Sequence, residues 1–536
     1  MRKNIRKLCL ALLLVLAASS MFAGCSADKQ QTASGDPAST EKDEIVISVG
    51  AESTTGYDPC TGSGTYLFFS GLLGFDKECN IVKDLAADYS VSPDGLTYTF
   101  VLRNDVKFSD GTAVTAQDVA FTFNTTKNSG SVVDLNDMKS VEAKDAKTVV
   151  FTLEKPYSVF LNIVAELGIV PEHAYGANFG EKPVGSGPFV LTQWDKGQQL
   201  ILTPNPNYYG TKSYFQKVTI LFMAEDAVLA AAQAGELDIA MINPEFGRET
   251  APDGMKLVTV DTVDNRGINL PTEPEHKDKD GNIAGNDITS DPVIRKALNI
   301  GINRQQIIND ALNGFGTPAY SVCDTQPWWN PETAIKDGRV EEACKMLEDA
   351  GWKDTDGDGI REKDGRKAEF IVFGRTDDLQ RYTLAVALSN QAKPLGINIK
   401  AEAKGWTEAK ALSRSTPTVF GYGSYSPIQM YYTFHSSMIN VALNNQANYN
   451  NPKVDEYIDK ALYTVNSEES MKYWKLAQWD GTTGFGANGD APWLWLVNIK
   501  HIYFINDKLD IGKQRVHPHA HGWAIVQNIN EWSWSE

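Results

Sequence analysis

The chain has 536 residues, with 68 Asp or Glu against 50 Lys or Arg, and its formal net charge at pH 7 is −18. This balance argues against nucleic acid as a partner, because lysine and arginine must neutralise the phosphates. The length far exceeds that of one hydrophobic core, so two or three lobes are expected.

The N-terminal residues have the features of a secretion signal. A basic segment from Arg2 to Lys7 precedes the apolar run Leu8–Phe22, which is shorter than the roughly 20 residues that span a bilayer as a helix. The stretch FAGC resembles a bacterial lipobox, with Phe22 in the place of the usual Leu. The resemblance implies a signal peptide at 1–24 and a lipidated Cys25 on the outer face of the cytoplasmic membrane. The alternative is an ordinary secretory signal in which Cys25 is incidental.

A polar tether follows the signal. Residues 25–43 are rich in Ser, Thr, Ala, Asp and Lys without apolar periodicity, so they cannot bury enough surface to offset the entropy of ordering. The alternating segment EIVISVG, at 44–50, predicts the first strand of the folded part.

Strand-like and helical segments then alternate, which predicts an α/β protein. Asp-Gly turns at 94–95 and 110–111 each join one strand to the next, and residues 96–103 alternate with period two. Thr115 is in position to cap a following helix.

Further helices are predicted later in the chain. Residues 291–312 have apolar positions at helical spacing, with Asp291 as N-cap and Pro292 in the first turn. Residues 340–351 form an amphipathic pattern closed by Gly351.

Four cysteines remain besides those of the signal and Cys25. They are Cys60, Cys79, Cys323 and Cys344, and no two have the CxxC spacing of a zinc site. One disulfide is compatible with an oxidising compartment, but the sequence does not pair the cysteines.

The order of five motifs over nearly the whole chain resembles the solute-binding proteins of bacterial peptide/nickel ABC importers (solute-binding protein family 5). The segments 489–512 and 521–532 are similar to those of nickel-type members. The five motifs are LAADYSVSPDGLTYTFVLRNDVKFSDGTAVTAQDVAFTFN (85–124), a glycine-rich crossing with an Asn-Pro turn (183–210), an arginine-bearing helix (291–308), a helix and loop (343–365) and a late helix (448–461).

The resemblance implies a two-lobed periplasmic-binding-protein fold of type II, in the large class with an extra inserted subdomain and mixed sheets flanked by helices. The expected boundaries are 44–63 for the start of the first lobe, 64–185 for the inserted subdomain, 186–265 for the first lobe again, 266–506 for the second lobe and 507–536 for the return to the first.

The resemblance also implies a non-catalytic, monomeric receptor that closes around a small solute and delivers it to a membrane permease. No cofactor is expected to be required. The sequence has no Walker loop, HExxH motif or G-x-S-x-G elbow, so a metal-dependent hydrolase is a remote alternative.

Residues 354–365, DTDGDGIREKDG, partly match a calcium loop. Asp354, Asp356 and Asp358 occupy the first ligand positions, but Gly365 stands where the bidentate Glu should be. We therefore expect a solvated loop here and no calcium.

The ligand is expected to contact the second lobe at 420–437. In peptide-binding members a loop here supplies an aspartate for the peptide's α-ammonium, but this segment has no acidic residue. A buried ammonium without a carboxylate is costly, which argues against a plain oligopeptide. Aromatic rings with polar tips suit a partly apolar chelate or a small organic molecule. The predicted ligand-binding residues of this loop are Tyr422, Ser424, Tyr425, Tyr432 and His435.

The facing wall is predicted to come from 57–69, with Tyr57, Thr61, Gly64 and Tyr66 as ligand-binding residues. Arg266, at the first crossing between the lobes, is predicted either to grip a ligand carboxylate or to form an inter-lobe salt bridge.

The segment RVHPHAHGW places His517, His519 and His521 at every second position, so their side chains share one side of an extended chain. With His435 they are candidate nickel ligands. At ~3.3 Å per residue the three span about 13 Å, too far for one ion unless the chain bends. The alternative is that they pack near the hinge against backbone. We predict nickel, carried by a small organic chelator such as histidine, with a short peptide as the alternative.

Overall fold

The structure is a computed structural model that describes residues 42–50, 52–53, 55–62, 65–131, 133–520 and 522–535. The predicted signal peptide, Cys25 and most of the tether lie outside the described residues, as do Gly64 and His521. Within these ranges, no helix is long and apolar enough to cross a membrane.

A mixed sheet of seven strands, counted over the described residues, forms the first lobe. Its central strand alternates as predicted. Ile45, Ile47 and Val49 point into one core, which also holds the 3-10 segment Trp523–Glu531, and Val46 points into the other. The strands, in spatial order, are Met255–Val260, His501–Asn506, Ile239–Ile242, Glu44–Val49, Lys217–Phe222, Gln199–Pro204 and Phe189–Asp195.

The expected boundary of the second lobe at residue 506 is wrong. The strand His501–Asn506 pairs with Ile239–Ile242 and Met255–Val260 in the sheet of the first lobe. The preceding strand, Trp493–Ile499, pairs in the second lobe. Both strands are buried over nearly their whole length, so their composition does not reveal the crossing at Lys500.

The inserted subdomain contains an antiparallel sheet and two helices, Ala116–Asn128 and Phe160–Glu166. Thr115 caps the longer helix in a capping box with Asp118, which confirms the predicted cap. Gly95 and Gly111 have φ values of 69° and 92°, as the predicted Asp-Gly turns require. The strands, in spatial order, are Ala86–Val91, Thr97–Leu102, Thr148–Leu153 and Met138–Ala143.

The second lobe is built on an antiparallel sheet with a parallel pair of strands beside it. The bridge between Phe373 and Thr418 links the two. The antiparallel strands, in spatial order, are Gly316–Pro318, Trp493–Ile499, Asn265–Asn269 and Val419–Tyr422, and the parallel pair is Glu369–Arg375 with Asn398–Lys404.

Helices cover this lobe, and two predicted caps are confirmed. Asp291 accepts a hydrogen bond from the Val293 amide, and Gly351, with φ 92°, follows the helix of residues 340–349. The helical stretch predicted over 291–312 is two helices, because the second has its own N-cap at Asn303. The helices are Pro292–Gly301, Arg304–Leu312, Val340–Asp349, Leu379–Ala392, Trp406–Leu412, Ile428–Phe434, Pro452–Leu462 and Ser467–Gln478.

Smaller elements complete the fold. The helix Glu225–Gln233 packs on the first lobe's sheet, and the four cysteines among the described residues are free thiols. The remaining 3-10 turns are Pro59–Thr61, Glu172–Ala174, Phe179–Glu181, Pro331–Thr333, Lys393–Leu395 and Ser436–Met438. Short two-stranded pairs join Leu73–Phe75 with Ile81–Lys83, His276–Lys277 with Ile283–Ala284, Glu362–Lys363 with Arg366–Lys367, and Leu509–Asp510 with Ser533–Trp534.

Candidate functional site between the lobes

The inserted subdomain touches the second lobe directly. Ser158 donates from its amide to the Leu462 carbonyl and from its hydroxyl to the Ala461 carbonyl, each at 2.8 Å. Asn162 Nδ2 donates to the Tyr425 carbonyl at 3.0 Å. These contacts close one side of the space between the lobes.

That space is enclosed but still reached by solvent. Tyr66 is 39% exposed and Glu166 is exposed, yet burial raises the pKa of the Glu166 carboxyl to about 7 and that of the Tyr66 hydroxyl far above its usual value. A side chain can be accessible to solvent and still be desolvated when it faces a cavity that is surrounded by protein. Tyr66 and Glu166 therefore mark the first lobe's wall of an internal cleft.

Two half-buried tyrosines of the second lobe have desolvated hydroxyls, and one of them is near Glu166. Tyr422 and Tyr432 are half-buried, and burial raises the pKa of both hydroxyls. The Tyr432 hydroxyl lies close enough to Glu166 for the carboxylate to raise its pKa further. Tyr422 is held by edge contacts with Trp493 and Trp495, whose stacked rings are 4.9 Å apart. Tyr422 and Tyr432 therefore give this side aromatic rings with hydroxyl tips.

Glu166 is a cleft residue that sequence reasoning missed. That reasoning looked for an acidic group in the loop 420–437, whereas Glu166 lies at the end of helix Phe160–Glu166, on the opposite wall. The signal available in the sequence was a carboxylate at the end of a largely apolar helix, FLNIVAE.

The other residues predicted for the first wall lie elsewhere. Tyr57 is 3% exposed and packs against Phe68 and Trp194 in the core of the first lobe, so its assignment to the cleft is wrong. Thr61 is exposed at the end of a 3-10 turn, where its hydroxyl donates to the Asp58 carbonyl.

Two predicted residues of the second wall have structural partners. The Tyr425 side chain is buried and its hydroxyl donates to the Val516 carbonyl, which fastens the loop to the C-terminal segment. Ser424 is half-buried and its hydroxyl accepts a hydrogen bond from the Ser426 amide at 3.1 Å.

A buried charge network lies where the chain crosses between lobes. Asp264 forms an ion pair with Arg266, and its oxygens lie 2.9 Å from His519 Nδ1 and 3.3 Å from His501 Nε2. Burial acts to raise the pKa of the Asp264 carboxyl, but Arg266 and the two imidazoles outweigh it and hold this pKa well below its usual range. Arg266 is thus paired with Asp264 at the crossing, which is nearer to the predicted salt bridge than to the predicted grip on a ligand. Its guanidinium is not directed at the cleft to bind a carboxylate.

His517 belongs to the same network. Its side chain is fully buried, with Nδ1 3.0 Å from His501 Nδ1 and Nε2 3.4 Å from Gln514 Oε1. Its amide and carbonyl bond to Asp261 and Val263. Burial, followed by the charge of His501, lowers the pKa of His517 well below its usual value. With both ring nitrogens engaged, His517 is a packing residue at the crossing and offers no lone pair to a metal.

His435 lies against a helix of the second lobe. Nδ1 accepts a hydrogen bond from the Ser437 amide at 3.1 Å, and Nε2 is 3.4 Å from Asp459 and 3.9 Å from Asp455. Among the described residues, which exclude His521, no group of three or more potential metal ligands includes His435, His517 or His519.

The acidic loop is the one group of potential metal ligands among the described residues, with oxygens of Asp354, Asp356, Asp358 and Glu362 within 4.8 Å of one another. Lys367 fills its centre: Nζ is 3.0 Å from Asp356, contacts Asp358, and lies 3.8 Å from Glu362. The ammonium supplies the positive charge that a cation would bring.

The two lobes and the enclosed cleft define a solute-binding receptor. The chain belongs to the bacterial extracellular solute-binding proteins of family 5: the model of that family, described as its middle region, matches residues 80–449. The family and the fold predicted from the sequence are confirmed.

Relatives of known name span nearly the whole chain. Protein XP55 of Streptomyces lividans is 31% identical over 513 residues, covering 92% of this chain and 91% of that protein. The oligopeptide-binding protein AppA of Bacillus subtilis is 27% identical over 571 residues, covering 98% and 99%. The crystal structure of NikZ from Campylobacter jejuni in complex with Ni(L-His) superposes with a TM-score of 0.78 at 27% identity, covering 92% of this chain and 99% of that one.

Proposed function

We propose that this protein captures a small amino-acid-derived solute between its lobes and delivers it to an ABC permease in the membrane. The observation that carries the proposal is the enclosed cleft, faced by Tyr66 and Glu166 from one side and by Tyr422 and Tyr432 from the other. A largely apolar pocket with a few polar groups binds small organic molecules and fixes their orientation.

Two classes of ligand compete within this proposal. A nickel–histidine complex is supported by the likeness to NikZ in complex with Ni(L-His). Among the described candidate ligands, the nitrogens of His517 are engaged and His435 lies against carboxylates, which favours nickel that arrives with its own chelator. A short peptide is supported by the oligopeptide-binding relative AppA, and the argument against it from the acid-free loop loses force once Glu166 faces that loop.

Native mass spectrometry of the purified full chain tests the ligand class, because an enclosed cleft can retain its solute through purification. Calorimetry then compares a nickel complex of L-histidine, nickel chloride alone and an equimolar tripeptide pool. We expect the complex or the pool to bind and the bare ion not to bind. Tight binding of nickel chloride alone, with no response to the other two probes, would contradict an amino-acid-derived ligand.

We also propose that lipidated Cys25 anchors the receptor to the outer face of the cytoplasmic membrane. Cys25→Ser should release the protein from membranes without changing its thermal unfolding, because the lipid chains supply the membrane affinity. Membrane retention equal to that of the wild type would contradict the anchor.

A further inference from the structure

We propose that Glu166 is a cation-recognising residue of the cleft and that the transported solute presents a protonated amine to it. This inference rests on the proposed receptor function and narrows its ligand. The amine would thus be recognised by the inserted subdomain of the first lobe, whereas the family resemblance assigns this role in peptide-binding members to the second-lobe loop.

The helix Phe160–Glu166 aims the carboxylate at the second lobe. Asn162 and Glu166 are four residues apart and therefore lie on the same helix face. Asn162 Nδ2 donates to the Tyr425 carbonyl at 3.0 Å, so this face is turned towards the loop 420–437. The carboxylate lies near the hydroxyls of Tyr66 and Tyr432, one from each wall.

Nothing in the described part of the chain compensates the charge of Glu166. No described residue donates a hydrogen bond to its carboxylate or forms an ion pair with it, and burial in the cleft raises its pKa to about 7. The carboxylate also sits at the C-terminal end of its helix, where the helix dipole disfavours an anion.

Two other enclosed acids among the described residues are compensated. Asp84 accepts a hydrogen bond from the Tyr209 hydroxyl and is stabilised by Arg103, and Asp264 is paired with Arg266. Glu166 has no such partner among the described residues, and a bound ligand could supply the cation. Strongly shifted, uncompensated carboxylates in clefts are typical of functional sites.

An ammonium group fits this position chemically. It would donate a charge-assisted hydrogen bond to the carboxylate, and it gains further from the faces of nearby aromatic rings. A quaternary nitrogen would have no N–H to donate to Glu166, and an acylated nitrogen would keep an N–H but lose the positive charge that strengthens the bond. A nickel chelate whose amine nitrogen is bound to the metal would keep N–H donors but would not present an ammonium, so the inference favours a ligand with a free, protonated amine.

The test compares two equimolar tripeptide pools, one with free N-termini and one N-acetylated, by affinity selection and mass spectrometry on the full chain. The proteins are the wild type, Glu166→Gln and the control Glu142→Gln, which removes an exposed carboxylate of the same subdomain that is ion-paired with Lys144. We expect the wild type and the control to prefer the free-amine pool, and Glu166→Gln to bind it about ten- to a hundredfold more weakly.

A pH series separates recognition from a structural role. Wild-type affinity for the free-amine pool should rise by up to about tenfold per pH unit as Glu166 ionises and level off near pH 7, before the peptide amines lose their protons at about pH 8. Below pH about 7 it should be flat in Glu166→Gln. Equal binding of both pools by the wild type, or an unchanged preference in Glu166→Gln, would overturn the assignment to Glu166 while leaving a receptor for amino-acid-derived ligands. If neither pool nor the nickel–histidine complex binds the wild type, the proposed ligand class fails, and the amine assignment fails with it.

Discussion

At the scale of single residues, Glu166 opposes the stability of the unliganded protein. Its folded-state pKa, about 7, is above the unfolded value of 4.5, so the folded state binds the proton more tightly. The stabilising effect of this proton uptake is fully present below pH 4.5 and is lost as the pH rises through 7.

We therefore expect Glu166→Gln to gain stability relative to the wild type between pH 5 and pH 8. Because solvent in the cleft screens the charge, a difference of roughly 1–3 °C in Tm is expected. Thermal unfolding of both proteins across this range, without ligand, measures it. Parallel pH profiles would show that Glu166 titrates normally in the folded state.

Asp264, in contrast to Glu166, stabilises the folded protein through its negative charge. Asp264→Asn would leave the Arg266 guanidinium buried without a counter-ion, and breaking such a pair costs about 3–5 kcal/mol. The control Asp105→Asn breaks a pair with Arg103 in which Asp105 is 59% exposed, and should cost less than about 1 kcal/mol. Urea unfolding gives the free energy of unfolding of the two variants. Similar losses of stability would mean that the network at the crossing contributes no more than a surface ion pair.

At the scale of elements, the glycine-rich crossing is explained by close backbone packing. Gly187 N donates to the Phe68 carbonyl at 2.9 Å, and a Cβ added at Gly185 would lie 1.9 Å from the same oxygen. Two stretches of main chain approach here more closely than any side chain allows.

Gly185→Ala is therefore expected to destabilise the protein by about 1–3 kcal/mol or more, through overpacking. Gly176→Ala is the matched control, because a Cβ there meets no atom within 4 Å, and it should change stability by less than about 0.5 kcal/mol. Thermal unfolding of both variants measures these differences in stability. An unchanged stability of Gly185→Ala would contradict the close approach of the two stretches of main chain.

At the scale of the whole molecule, the contacts of Ser158 and Asn162 with the second lobe favour the closed state. Each neutral hydrogen bond contributes a net ~0.5–1.5 kcal/mol, so Ser158→Ala with Asn162→Ala should shift the balance by about 1–3 kcal/mol towards opening. Hinge motions of this kind take μs to ms.

We expect this double variant to release a bound probe, the tripeptide pool or nickel–histidine, about tenfold faster than the wild type. Small-angle scattering at equal subsaturating probe should give it the larger radius of gyration. Asn128→Ala, which removes a hydrogen bond to Asn124 within the inserted subdomain, is the control. Identical release from all three proteins would show that these bonds do not hold the lobes together.

The sequence by itself determined the class, the family and much of the local structure of this protein. The caps at Thr115 and Asp291, the turn glycines Gly95 and Gly111 and the first strand are correctly predicted, because each depends on residues within a few positions of one another. The tyrosines proposed for the second lobe's side of the cleft lie in one continuous segment, so the sequence could group them.

Only the tertiary structure decided what each functional side chain meets. His501 and Asp264 are 237 residues apart, yet they share the network that engages His517, and Tyr57 lies in a core where the sequence placed a cleft wall. Glu166 faces Tyr432 across the lobes for the same reason. Periodicity and capping record only local backbone preferences, whereas burial and charge pairing arise when distant segments pack together.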